Sequence, residues 1–323
     1  DVLVANSFAD TVFFTNSGTE SCELAVKMAR KYWFEKGCPD KFEIITFEGS
    51  FHGRSSAGIA ATASEKMTKG FGPLLPGFIN INLNDHEAIK TTVSEKTAAI
   101  LIEPIQGEGG IRLLPEQCLK GIREICDEKD ILLILDEVQC GVGRTGKLFA
   151  HEWAEIEPDI MMVAKGIGGG FPLGAVLAKE NAASGMTAGT HGSTYGGNPL
   201  GCSIGLKVMD IISDPNFLYD VNRKAKLFHD GLLELLRKNT SIFEEVRGSV
   251  IRRKFRLDGE LHLVGVRHGG RTDLHVDNGV TSIIIWAIDP RGAAPITSCS
   301  IVSVMDVDVA AGDPRQLEKH LSQ

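Results

Sequence analysis

Two apolar runs in this chain end in groups that can do chemistry. Ile131-Leu-Leu-Ile-Leu135 gives way to Asp136 and Glu137, and Ile160-Met-Met-Val-Ala164 gives way to Lys165 and a glycine-dense turn with Gly166, Gly168, Gly169 and Gly170. Unbroken runs of this length read as strands buried on both faces of a parallel sheet. In open α/β sheets, ligands sit beyond the carboxyl ends of the strands. An acid and a lysine at two such ends are therefore expected to face one pocket.

Two chemistries compete for that pocket. Gly141-Val-Gly-Arg-Thr-Gly146-Lys147 has the spacing of a phosphate loop, and Asp136 would serve as the metal-binding acid of a nucleotide hydrolase. Context argues against it: Leu148 stands where Ser or Thr should meet magnesium, and the segment follows the acidic strand instead of opening a helix. An aldehyde cofactor fits both groups better. A lysine amine can bind the aldehyde as a Schiff base, and an acid beside a pyridine nitrogen keeps that ring protonated as an electron sink.

The elements that must position these groups alternate. Thr11–Thr15 reads as a strand, followed by Ser17-Gly18-Thr19-Glu20, a capping-box pattern opening a helix with an inner stripe at Ala25, Met28, Ala29 and Tyr32. That turn is either a well-capped helix start or, through Gly18 and Thr19, a phosphate site at the positive end of the helix dipole. Glu43–Phe47 reads as a strand running into Phe51-His52-Gly53-Arg54, which without further information is surface punctuation. Ala98–Ile102 is a further buried strand ending in Glu103, and Glu116–Lys129 is an amphipathic helix. After Lys165 comes His191-Gly-Ser193-Thr194-Tyr-Gly196-Gly197, whose glycines suit either close ligand approach or ordinary turns. Leu200–Ile212 and Asp220–Lys238 read as helices. Strand, helix, strand is the α/β pattern.

Composition sets the outer bounds. The chain has 323 residues, 43% hydrophobic and 24% charged, enough for one large domain and a smaller one. Its 34 Lys and Arg against 42 Asp and Glu give a net charge of −8, which argues against general nucleic-acid binding. No apolar run is long enough to span a bilayer. Seven cysteines at scattered spacing, with no CxxC pair and no metal-ligand motif, suggest reduced thiols in the cytoplasm.

Asp136-Glu-Val-Gln139, the glycine run 141–146, Ala164-Lys165 through Gly174 and His191 through Pro199 together resemble the class III pyridoxal-phosphate aminotransferases. The resemblance implies a fold-type I large domain, a mixed and mostly parallel sheet between helices over residues 1–240, with a smaller α+β C-terminal domain over 241–323. It implies pyridoxal 5′-phosphate as cofactor and a homodimer as the active form. Residue by residue, it implies that Lys165 binds the cofactor aldehyde and moves the proton, and that Asp136 faces the ring nitrogen. Gly18 and Thr19 hold the phosphate, with Thr194 reaching the partner subunit's cofactor. Phe51 and Val138 cover the two ring faces, Gln139 meets the ring hydroxyl, and Glu137 joins the cofactor-binding set. Arg54 contacts the substrate carboxylate, Ser193 lies beside the substrate, and Glu103 is a gate that pairs with an arginine when that carboxylate is absent.

The implied reaction moves the δ-amino group of N2-acetylornithine to 2-oxoglutarate, giving glutamate, as in arginine biosynthesis. Ornithine, succinylornithine, an acyl-lysine precursor or 4-aminobutyrate are alternative donors, and an inactive relic that keeps the fold is the rival outside enzymes. Relatives carry a segment before the position of Asp1, so part of the substrate pocket is expected to be missing. The resemblance ends near Val246-Arg247-Gly248. Beyond it, His262, His268 and His275 match no ligand spacing, and Arg291 beside Pro290 is the candidate for the missing carboxylate-binding arginine.

Overall fold

A computed structural model describes residues 1–62, 64–83 and 85–238, and four later strands at 243–247, 254–257, 262–268 and 271–277. Most of the expected small domain, residues 241–323, lies outside the described residues, as do Arg291 and the side chains of His262, His268 and His275.

Seven strands form one sheet: β1 (Thr11–Thr15), β2 (Glu43–Phe47), β3 (Phe78–Ile81), β4 (Thr97–Ile102), β5 (Leu132–Asp136), β6 (Ile160–Val163) and β7 (Gly174–Ala178). Their order is β1-β7-β6-β5-β4-β2-β3. The pairs from β6 to β3 are parallel, whereas β7 runs antiparallel to both neighbours. This is the mixed, mostly parallel sheet expected.

Every residue of β4, β5, β6 and β7 is buried, which explains why these segments read as continuous apolar runs instead of alternating ones. Alternation survives in which face each residue supplies. Ala99, Leu101, Leu132, Ile134, Ile160 and Met162 pack with helix α1 (Gly18–Glu35). The intervening Ile100, Ile102, Leu133 and Leu135 pack with α3 (Glu116–Glu128), while α2 (Ser56–Thr62) joins the α1 side through Ala57 and Ala61. Met161, Val163, Ala175 and Leu177 share a third cluster with Met209 of α4 (Pro199–Ile212). The last described helix, α5, spans Pro215–Lys238 and begins five residues earlier than its periodicity predicts, with Pro215 in its first turn.

Helix α1 is locked at both ends. Ser17 Oγ accepts from Glu20 N at 3.3 Å, while the Glu20 carboxylate reaches back past the cap to accept from Asn16 N at 2.8 Å. Farther along, Trp33 Nε1 donates to Ala98 O at 2.9 Å, which ties the helix to the entrance of β4. The stripe Ala25, Met28, Ala29 and Tyr32 is buried as its spacing implies. Among the described residues, no helix is long and apolar enough to cross a membrane.

Because Ile134 is fully buried between the sheet and α1, truncating it leaves a void that the surrounding close-packed strands cannot fill. Ile134→Ala is expected to lose about 2–5 kcal/mol in urea-denaturation free energy. A loss below about 1 kcal/mol would contradict this packing.

Candidate active site

The carboxyl ends of β1, β2, β4, β5 and β6 all open into one cavity, and each delivers a different kind of group. Gly18 and Thr19 follow β1, and Phe51 and His52 follow β2. Glu103 follows β4, Asp136 closes β5 with Val138 and Gln139 behind it, and Lys165 follows β6. Ile102 pairs with Leu135 across β4 and β5, so the next residues, Glu103 and Asp136, come side by side.

The β1–α1 turn presents backbone N–H groups at the start of an 18-residue helix, where the dipole favours an anion. The fit there is close. A Cβ on Gly18 would stand 2.7 Å from Val138 Cγ1, and one on Gly53, whose φ is +112°, would stand 2.9 Å from Thr19 Oγ1. Glycine at both positions lets the phosphate turn, the β2 turn and the Asp136–Gln139 segment pack against one another.

The three acids at this edge have different surroundings. Asp136 Oδ2 accepts from His52 Nδ1 at 2.8 Å and its Oδ1 accepts from Val138 N at 3.0 Å, with both side chains of the Asp136–His52 pair buried. Burial disfavours the charged imidazole, but the Asp136 hydrogen bond and charge outweigh it, so His52 holds its proton more tightly than an ordinary histidine. Glu103 accepts from two backbone amides, Phe51 N at 2.9 Å and Gly107 N at 3.3 Å. Burial, and then the charge of Asp136, push its pKa up to about 7 against the pull of His52 and the two amides.

Two expectations are corrected here. Glu137 does not reach the cavity: its carboxylate accepts from Ala150 N at 2.5 Å, His151 N at 2.8 Å and His151 Nδ1 at 2.8 Å. Side chains alternate along a strand end, so the residue after Asp136 points to the other face, where a short 3₁₀ turn supplies its donors. Glu103 does not have the surroundings of a gate, because both of its oxygens are occupied by backbone donors in a buried position. Glu108, which lines the cavity from an exposed position, has the freedom that Glu103 lacks.

Lys165 ends β6 with a left-handed backbone, φ +51°, unusual for a residue with a side chain and found where the surroundings enforce it. Its Nζ donates to Gln139 Oε1, so the amine and the residue expected at the ring hydroxyl meet inside the cavity. Phe51 and Val138 both line that cavity, as two covers for a planar ring require. Arg54 is not among the residues that line the cavity; its guanidinium carbon lies 5.1 Å from the centroid of the Phe51 ring. Ser193 and Thr194 are not among the cavity-lining groups of this chain. Ser193 Oγ accepts from Asn16 Nδ2 at 3.1 Å and from Gly196 N at 3.0 Å, and Thr194 is exposed.

His52 has no role in the sequence reading, and only the fold brings it to Asp136, 84 residues away. Its Nε2 is buried without a hydrogen-bond partner among the described protein atoms. The remaining groups fit pyridoxal phosphate: a helix start for its phosphate, a carboxylate for its ring nitrogen, two apolar side chains in the cavity lining and a lysine.

Comparison with known proteins points the same way. Residues 1–251 match the model of the aminotransferase class-III family. The chain is 68% identical over 248 residues to an acetylornithine aminotransferase of Rhodobacter capsulatus, a match covering 77% of this chain and 63% of the relative. It is 55% identical over 247 residues to one of Mesorhizobium japonicum, covering 76% and 62%. Among solved structures, the ornithine aminotransferase of Toxoplasma gondii superposes with a TM-score of 0.76 at 32% identity, over 79% of this chain and 62% of that one. The N-acetylornithine aminotransferase of Stenotrophomonas maltophilia does so with a TM-score of 0.66 at 38% identity, over 79% and 62%. The chain thus spans a little under two thirds of the length of the relatives it matches.

Removing the imidazole of His52 leaves the Asp136 carboxylate buried without its strongest partner. His52→Ala is expected to cost about 3 kcal/mol of unfolding free energy. The imidazole's proton affinity is raised by folding, so its contribution is full below its ordinary pKa and fades as pH rises through the raised value. The advantage of the wild type over the variant should therefore be greatest near about pH 6 and narrow toward alkaline pH, as read by urea titrations across that range. A gap that widens with pH would refute the charge-pair assignment.

Proposed function

The chain belongs to the class-III aminotransferase family, and from that premise we propose that its cavity binds pyridoxal 5′-phosphate and transfers an amino group from an amine donor to a 2-oxo acid. The observation that carries this reading is the meeting of Asp136 and Lys165, from the carboxyl ends of adjacent parallel strands, in a cavity that also receives a helix N-terminus. When bound, the cofactor supplies an aldehyde that exchanges amines and a pyridinium ring that takes up electron density.

The chain's own groups divide the work. Gly18 and Thr19 orient the phosphate at the start of α1 through backbone N–H groups and a hydroxyl. Phe51 and Val138 confine the ring between apolar surfaces and keep water from its faces. Asp136, held by His52 Nδ1 and Val138 N, is the carboxylate that would face the ring nitrogen and hold a proton there. Lys165 Nζ, which lines the cavity, would hold the cofactor through its aldehyde, and as a free amine it is the base placed to take a proton from the substrate carbon. Gln139, already bonded to that amine, orients Nζ and would meet the ring hydroxyl. Arg54, beside the Phe51 ring, is suited to a substrate carboxylate by its planar fork.

The donor we infer is N2-acetylornithine, its δ-amino group passing to 2-oxoglutarate to give glutamate in arginine biosynthesis. The 55–68% identity to two acetylornithine aminotransferases, and 38% to a third, against 32% to the ornithine enzyme of Toxoplasma gondii, supports it over ornithine. A homodimer is part of the proposal. Thr194 is exposed beside Tyr195 (71% exposed), and Leu200 and Leu206 of α4 are 60% and 54% exposed, an apolar surface that a second copy would cover. Among the described residues Cys22, Cys38, Cys118, Cys126, Cys140 and Cys202 form no disulfide, which suits a reducing, cytoplasmic setting.

The direct test is spectroscopic. Pyridoxal phosphate added to the protein should give an absorbance band at the edge of the visible that borohydride discharges and that Lys165→Ala lacks, with the reduced cofactor's mass on the peptide containing Lys165. In an assay with N2-acetylornithine and 2-oxoglutarate, Lys165→Ala should lose at least about 10³-fold in kcat while keeping the wild-type melting profile. Asp136→Asn should keep the band but lose roughly 10²-fold or more in rate, because a neutral amide cannot hold the ring proton. Wild-type turnover in either variant would overturn the corresponding role.

A further inference from the structure

Glu103 stands directly after β4, 4% exposed, and its two oxygens are divided between two separate segments. Oε2 accepts from the amide of Phe51, in the turn after β2, and Oε1 accepts from the amide of Gly107, which opens the loop Gly107–Gly110. That loop is the tip of a short antiparallel ribbon in which Ile105 faces Leu113 and Gln106 faces Arg112. Gln106 Nε2 donates to Glu48 O at 2.9 Å, tying the body of the ribbon to the β2 turn. Phe51, Gly107 and Glu103 all line the cavity, so the Glu103 tie lies at the cavity wall itself.

We propose that Glu103 is a positioning residue, a buried carboxylate that sets the spacing between Phe51 and the Gly107–Gly110 loop and does so most firmly when ionised. The proposal rests on the reading of the cavity as the cofactor site. A carboxylate can accept from both amides at once. Protonation turns one oxygen into a hydroxyl donor that faces an N–H, and a glutamine side chain does the same with its NH₂, so in either case one amide loses its acceptor. The charged groups around Glu103 act in both directions: Asp136 opposes its ionisation and His52 favours it, while Cys140 is a further titratable group that feels its charge. With the carboxyl's pKa pushed up to about 7, the tie strengthens as pH rises through neutrality.

Pyridoxamine 5′-phosphate is the suitable probe, because it carries the same ring and phosphate but has no aldehyde for Lys165. Titrated into the wild type and Glu103→Gln at about pH 8, it should bind the variant about tenfold or more weakly, while both proteins melt within a few degrees of each other. In the ligand-free wild type, the amide proton shifts of Phe51 and Gly107 should share a titration step near the carboxyl's value of about 7, and that shared step should be absent from Glu103→Gln, where Phe51 keeps only the step of the adjacent His52. Glu103→Asp retains the charge but is one methylene too short to span both amides, so it too should bind weakly. Equal affinity of Glu103→Gln and the wild type, full affinity in Glu103→Asp, or lack of the shared titration step in the wild type would each overturn the proposal. Failure of the wild type to bind the probe would instead count against the cofactor reading, and the amide shifts, which need no ligand, would still judge the tie.

Discussion

Three carboxylates lie buried at one edge of a single sheet, and the loops around that edge are arranged to satisfy them. A buried acid without donors is costly, so each needs its own set of partners. Asp136 has an imidazole and a backbone amide, Glu103 has two amides, and Glu137 has two amides and a second imidazole. Asp136 and Glu137 are neighbours in sequence, and the two-residue repeat of the strand sends them to opposite faces. Asp136 continues the side of Leu132 and Ile134 toward α1, and Glu137 continues the side of Leu133 and Leu135. One dipeptide thus fixes the cavity on one face and a supporting turn on the other.

Much of this was legible in the sequence, because the signals were local. Continuous apolar runs marked β4, β5 and β6, and the Ser17–Glu20 pattern marked the start of α1. The same runs showed that Asp136 and Lys165 share a pocket, since parallel strands that are neighbours in the sheet end side by side. What escaped was set by tertiary contact. Strand β7, Gly-Ala-Val-Leu-Ala, and helix α2, Ser-Ala-Gly-Ile-Ala-Ala-Thr, are short and built of small residues whose pattern favours no one element. The His52–Asp136 pair joins residues from different strands, and no spacing along the chain announces it. The orientation of Glu137, by contrast, follows from the two-residue repeat once β5 is recognised.

The same wall of acids explains how neutral-pH chemistry is held in balance. Asp136 raises the proton affinity of both His52 and Glu103, and these two also feel each other, His52 favouring the ionised Glu103 and Glu103 favouring the protonated His52. The buried carboxylate of Asp136 therefore comes with a neighbour, Glu103, able to give up or regain a proton near neutrality. Lys165, in the same cavity, donates its Nζ hydrogen bond to the neutral amide of Gln139.

The place of β1 in the sheet bears on the order in which the molecule can be assembled. Thr11, in the first strand of the chain, pairs with Ala178 of β7, 167 residues later. A ribosome has therefore released almost all of β2 through β6 before the segment that opens into Ser17, Gly18 and Thr19 can dock. Contacts this distant along the chain carry a large loop-closure cost and tend to form late. Until β7 emerges, β1 and the near edge of β6 are both open strand edges, vulnerable to pairing with other nascent chains. The β1–α1 turn is thus expected to be completed last among the elements that line the cavity, so a ligand engaging Gly18 and Thr19 would act on the final step of folding.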